Sequence, residues 1–181
     1  MDNILTVREL TEPDIELITN YWLTADDDYL LGMGAERSKI PARQDWVSML
    51  SAQLRQSYTA KQSYATIWLI DGVPVGHCNV NKIMFGDEAY MHLHMWYADK
   101  RNKGMGLELV KKSLPFFFNK LQLKNLYSEP YSLNIGPNKT LEKAGFVFVK
   151  TFRTIPGMLN FEQDVNLWQM SSDTFKSLQK V

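Results

Sequence analysis

Hydrophobic residues recur along this chain with two periods, and the changes of period divide it into short segments. Residues 5–10 form a brief apolar run read as a strand. Thr11-Glu-Pro-Asp14 then sets a capping hydroxyl three residues ahead of an acid, with Pro13 in the first turn, and predicts a helix through about Trp22. Residues 26–41, with two glycines and the acid run Asp26-Asp-Asp28, show no clear period and predict an irregular connection. Trp46, Val47, Met49, Leu50 and Leu54 return to helical spacing and predict a second helix to about Gln56.

Residues 64–70 and 73–80 are β-rich runs on either side of Asp71-Gly72, a strong hairpin signal. A second turn at Gly86-Asp87 leads into a strand over residues 88–97, so the three strands form an antiparallel meander. From Gly104 the positions Met105, Leu107, Leu109, Val110, Leu114 and Phe117 suit a helix that Pro115 should kink or shorten. A strand near residues 126–131, a short helix over residues 137–144 stopped by Gly145, and strands at 146–152 and 165–170 complete the pattern. The order β-α-α-β-β-β-α-β-α-β-β predicts an α+β fold in which a meander feeds a strand-helix-strand crossover.

Composition narrows the picture. With 181 residues, 45% hydrophobic and 22% charged, the chain matches one globular domain spanning residues 1–181, and no linker or repeat marks an internal boundary. Twenty Lys+Arg balance twenty Asp+Glu, so no whole-chain field favours nucleic acid or an anionic membrane, and neither is expected as a partner. No apolar run reaches the ~20 residues of a bilayer span, and the start MDNILTVREL lacks the features of a signal peptide; the expected location is cytoplasmic. A single cysteine, Cys78, excludes an internal disulfide and a Cys-rich zinc cluster.

The segment Met95-Trp-Tyr-Ala-Asp-Lys-Arg-Asn-Lys-Gly-Met-Gly106 runs from a strand through a basic, glycine-containing turn into a helix. Such a turn suits phosphate, because the first amides of a helix lack partners and the helix dipole attracts an anion, while Gly104 and Gly106 let backbone approach it. Arg101 and Lys103 add positive charge. The same segment also reads as an ordinary glycine-softened turn. There is no Gly-x-x-x-x-Gly-Lys-Ser/Thr, and Leu109 stands where Gly-x-Gly-x-x-Gly needs its third glycine, which argues against nucleotide hydrolysis and a dinucleotide site.

Arg101-x-x-Gly104-x-Gly106, together with Glu129-Pro-Tyr-Ser-Leu-Asn134 and the downstream Glu142-Lys-Ala-Gly-Phe146, resembles the two signatures of the GCN5-related N-acetyltransferases. The likeness extends over nearly the whole chain and is greatest to the branch of ribosomal-protein, aminoglycoside and siderophore hydroxylysine acetyltransferases. It implies a mixed, mostly antiparallel sheet of about seven strands flanked by about four helices. It also implies an enzyme with acetyl-CoA as co-substrate and no metal, acting on a small-molecule or protein-terminal amine as a monomer or homodimer. Main-chain groups of Met95, Trp96 and Tyr97 would pair with the pantetheine and supply an oxyanion donor. Amides of Arg101, Asn102, Lys103, Gly104, Met105, Gly106 and Leu107 would hold the pyrophosphate, and Asn134 would contact the pantetheine arm.

His92 and His94 fall on one face of a strand, with Trp96 continuing the row. His92 is the expected base or proton relay and Glu129 the group that holds the amine or accepts its proton. The competing readings are half-buried packing for the histidines and a solvated strand end for Glu129. Many family members carry Tyr where this chain has Leu141 and others Ser where it has Pro137, so no residue is assigned as the acid for the departing thiolate; Tyr131, Ser132, Tyr127 or water remain open. His-x-His could also reach one metal ion, but no third ligand is evident. Cys78 has no base assigned to it, which disfavours a covalent route. Asp26 to Asp28 reads as a solvated loop or an attractor for a basic substrate, and Trp22, Trp46 and Trp68 as core. The rival to an enzyme is a catalytically silent acyl-CoA-binding or sensing module on the same scaffold; a pure interaction domain is a third reading.

Overall fold

The computed structural model describes residues 3–101 and 104–180. Seven strands form one sheet: β1 (Leu5–Glu9), β2 (Ser63–Ile70), β3 (Val73–Met84), β4 (Glu88–Met95), β5 (Asn125–Ser128), β6 (Val147–Thr154) and β7 (Gln163–Ser171), in the spatial order β1-β2-β3-β4-β5-β7-β6. Every neighbouring pair is antiparallel except β4 and β5. That parallel pair is joined by a crossover through α4 (Met105–Pro115), as a parallel connection requires. The α+β class, the seven strands and the hairpin at Asp71-Gly72, whose residues take φ of 51° and 79°, agree with the sequence reading.

The helix count is higher than expected. Besides α1 (Asp14–Thr24), α3 (Arg43–Arg55), α4 and α5 (Ile135–Ala144), the described residues contain α2 (Asp27–Gly32) and a terminal α6 (Ser172–Leu178). Both extra helices are short and start at a side-chain cap: Asp26 accepts from the Tyr29 N–H at 2.7 Å, and Ser171 from the Thr174 N–H at 3.1 Å. At α1 the expected roles are exchanged. The Asp14 carboxylate accepts from both the Thr11 N–H and the Thr11 hydroxyl, and Arg8 pairs with the same carboxylate. Pro115 ends α4 in a wider π turn over Phe116–Lys120.

At β2 the sheet is buried on both faces, whereas the edge strand β6 is largely exposed. Along β2 the side chains alternate: Tyr64, Trp68 and Ile70 join the core under α4 and α6, whereas Ala65, Ile67 and Leu69 join the core under α1 and α3. Burying side chains of this size contributes about 1.5–3 kcal/mol each. Ser113 anchors α4 by accepting from Trp68 Nε1 at 2.9 Å and bonding Thr66, and so fixes where the N-terminus of α4 lies against the sheet.

Candidate active site

The β4–β5 ladder ends at Tyr90↔Tyr127, although β4 continues to Met95. On its other side β4 stays paired with β3 as far as Gly76↔Met95, and the Trp96 N–H still donates to the Val75 carbonyl at 2.9 Å. Alternate residues of an antiparallel strand turn their backbone groups to opposite neighbours, so Leu93 and Met95 face the side where β5 has diverged. The wedge has polar edges. Ser128 Oγ donates to the Met91 carbonyl at 2.8 Å where the strands part, and Arg101 Nε donates to the Met95 carbonyl at 3.1 Å. Among the described residues no acceptor pairs with the N–H groups of Leu93 and Met95, which face the gap. Of the three residues assigned to the pantetheine, Trp96 has its N–H engaged by Val75, and Tyr97 is exposed with its carbonyl accepting from Lys100.

Arg101 turns inward. Its guanidinium also donates to the Trp96 carbonyl at 3.2 Å and stacks 3.8 Å from the Tyr29 ring centroid, tying the end of β4 to α2. Gly104 caps α4 at φ 77°, a left-handed conformation that strains any residue with a Cβ. Among the described residues, a Cβ built on Gly104 or Gly106 would meet nothing within 4 Å. The Arg101 N–H already donates to Ala98 and the Leu107 N–H to Gly104. Met105 and Gly106 stand in the first turn, where N–H groups have no intrahelical acceptor. Asn102 and Lys103 lie outside the described residues.

A cavity of about 280 Å³ opens between α1, α3, the centre of the sheet and the chain connecting β6 to β7, and His92, Glu129 and Asn134 all line it. His92 Nε2 lies 3.2 Å from Asn81 Oδ1. With a carbonyl oxygen as partner, the ring donates through Nε2 and keeps its lone pair on Nδ1. Burial pushes its pKa down to about 4, and the Lys82 cation pushes the same way. The Glu129 side chain is only 10% exposed; burial raises its carboxyl above the ordinary value, and Lys82 Nζ, 3.7 Å away, offsets part of that rise. Lys82 reaches this position from an irregularity in β3 between Asn81 and Met84, where its own φ is 47°.

His94 serves a different purpose from His92. Its Nδ1 lies 3.2 Å from the Tyr21 hydroxyl, and its ring stacks on His77 at 4.6 Å, across the register pair His77↔His94. Trp96 Nε1 donates to His77 Nδ1 at 2.8 Å. Burial drives His77 down to about 3 and His94 well below its ordinary value, with the neighbouring imidazoles adding to the shift. Tyr21, His77 and His94 thus join α1 to β3 and β4. Among the described residues no three His, Cys, Asp or Glu side chains are grouped to hold a metal.

Asn134 is the N-cap residue of α5 and its side chain caps nothing there. Asn138, unassigned from sequence, fixes the helix in place. Its Nδ2 donates to the Tyr131 and Asn134 carbonyls, and its Oδ1 accepts from Asn166 Nδ2 and Trp168 Nε1, each of these last two at 2.9 Å. Leu141 is fully buried in the core and Pro137 lines the cavity. Of the open proton donors, Tyr131 lines the cavity and Ser132 and Tyr127 do not. Cys78 is buried, and burial pushes its thiol far up. Trp22 and Trp46 are buried as expected, but they stack on each other at 5.7 Å and form a wall of the cavity. His77, Asn81, Lys82 and Asn138 carried no sequence motif; only the hairpin register, which sets His77 opposite His94 and Asn79 opposite His92, could have located the first.

Residues 5–147 match the family model described as an acetyltransferase (GNAT) domain. No curated protein matches the sequence. Solved structures are similar at low identity. A spermidine N-acetyltransferase from Vibrio cholerae, in complex with CoA and spermine, aligns at TM-score 0.77 and 15% identity over 95% of this chain and 98% of its own. A ribosomal L7/L12 alpha-N-protein acetyltransferase in complex with coenzyme A gives 0.75 and 10% over 94% and 95%. The aminoglycoside acetyltransferase AAC(6')-Ib in complex with coenzyme A gives 0.74 and 16% over 97% and 99%. With the family model covering most of its length, the chain belongs to the GNAT acetyltransferase family.

Proposed function

We propose that this protein transfers an acetyl group from acetyl-CoA to a primary amine by direct attack within a ternary complex. The observation that carries the reading is the wedge: strand N–H groups past the end of the β4–β5 ladder, close in sequence to the first turn of α4, on a strand whose His92 faces a cavity shared with Glu129. The Met105 and Gly106 amides, at the positive end of α4, would hold the pyrophosphate. The Leu93 and Met95 N–H groups would pair with the pantetheine, and Met95 would donate to the acetyl oxygen as negative charge develops there. Asn134 flanks the arm from α5.

The acceptor amine, as its free base, forms an N–C bond to the acetyl carbon while the C–S bond breaks and its electron pair leaves on the CoA sulfur. The amine proton passes to the lone pair of His92, which is neutral at pH 7. Glu129 holds the amine in register. The thiolate takes its proton from water, since an ordinary thiol pKa near 8.5 does not demand a protein acid. The products are the acetamide and CoA thiol. Titration with acetyl-CoA should raise the melting temperature, and CoA thiol should then be released with an amine panel. Stabilisation without release across the panel would instead support a silent acyl-CoA-binding module, the reading favoured by Leu141 and Pro137, neither of which can donate a proton.

A further inference from the structure

We infer that the acceptor is a monoamine carried on a flat apolar frame rather than a polycation; the inference rests on the acetyl-transfer reading above. Among the described residues that line the cavity, Glu129 is the only charged one, and Lys82 stands opposite it at 3.7 Å. A polyamine or aminoglycoside brings several ammonium groups, and each one buried without a counter-charge is costly. The acidic run does not supply them. Asp26 caps α2, Asp27 pairs with Arg37 at 2.8 Å, and none of Asp26 to Asp28 lines the cavity.

The remaining wall is mostly apolar and suits an apolar body, with the uncharged Gln53, Ser63, Asn79, Asn160 and Gln163 as its polar part. Trp22 and Trp46 stack within 8° of parallel, with Met33, Met49 and Leu50 beside them and Met158 on the opposite connection. Flat aromatic surface backed by flexible thioethers accepts an aryl or branched alkyl group. A single carboxylate balances one ammonium group and no more, the incoming amine taking the place of Lys82, whose side chain is 48% exposed.

The test compares 2-phenylethylamine and tryptamine with spermidine and kanamycin by CoA thiol release, with acetyl-CoA stabilisation measured separately. The expected result is a kcat/KM at least about tenfold higher for the two aryl monoamines. A preference for spermidine or kanamycin, or no release from either aryl amine with acetyl-CoA stabilisation intact, overturns the acceptor assignment and leaves cofactor binding standing. Loss of acetyl-CoA stabilisation overturns the enzyme reading and this inference with it. Met49→Glu supplies a second measurement, because Met49 lies at the cavity mouth, 38% exposed, where a carboxylate is tolerated by the fold. It should raise KM for tryptamine and improve spermidine, with acetyl-CoA stabilisation unchanged; unchanged selectivity would count against the proposal.

Discussion

The indole N–H of Trp168 on β7 donates to Asn138 Oδ1 on α5 at 2.9 Å, and the same amide spans two backbone carbonyls through its nitrogen. With the bond its Oδ1 also accepts from Asn166 Nδ2, one side chain closes four hydrogen bonds beside Asn134. Asn138→Leu leaves the Trp168 donor and two carbonyls without their partner, at about 1–3 kcal/mol for a buried unpaired group. Urea unfolding should show a loss of about 2–4 kcal/mol, and acetyl-CoA affinity should fall through the displaced Asn134. A variant as stable as the parent would contradict this role.

Gly104 is constrained by its backbone rather than by space. At φ 77° a β-branched residue is strained by about 1–2 kcal/mol, although a Cβ there touches nothing among the described residues. Gly104→Val should weaken acetyl-CoA binding by roughly tenfold or more as the turn rearranges, and Gly104→Asn, which accepts this conformation, should be much milder. Isothermal titration of both variants separates the conformational cause from a steric one.

What could be read from sequence depended on how local the determinant was. Gly145, at φ 96° where α5 ends, and the Asp71-Gly72 hairpin were legible because glycine and turn chemistry act over two or three residues. α2 was not, since six residues with Leu30 as the one buried position cannot display a 3.6-residue period. The ion pair of Lys82 with Glu129 and the contact of Tyr21 with His94 join positions 47 and 73 apart in the chain, and only the assembled sheet brings them together. Trp22 and Trp46 were read as core because periodicity reports burial; it does not distinguish a core face from a cavity wall.

The buried histidines make the fold sensitive to moderate acid. His77 and His92 titrate near 3 and 4 in the folded protein and near 6.5 when unfolded, so between those limits the unfolded chain binds more protons. Stability is complete above pH 6.5 and falls as pH drops toward 4. Each unit of difference is worth about 1.4 kcal/mol, so the imidazoles together remove several kcal/mol. Asp14, whose carboxyl is held below its ordinary value by Arg8 and Thr11, adds a further loss only at lower pH. Denaturant unfolding at pH 5 and pH 7 should show the drop, and His77→Gln should reduce the slope by about one proton.

His92→Ala should lower kcat by about 10²-fold, the lower end for a positioned base, while acetyl-CoA stabilisation persists. Glu129→Gln should chiefly raise KM for the amine, because an amide still accepts a hydrogen bond but carries no charge. Equal activity in His92→Ala would remove the base assignment and shift the proton path to water.

Lys82 couples the two groups, and its removal moves both in the same direction. Its cation holds down the proton affinity of His92 and offsets the burial of Glu129. Lys82→Met keeps an unbranched side chain over Tyr90, where the ammonium now lies 4.7 Å from the ring, but deletes the charge. Both pKa values should then rise. With a weakly basic acceptor, whose amine stays neutral throughout, the acid limb of the rate profile should move to higher pH, and the His92 imidazole should follow it in an NMR titration. Glu129, more readily protonated, would bind a cationic amine less well, so KM should climb fastest below neutral pH. If the rate limb stays in place while the His92 resonance shifts, another group carries the proton.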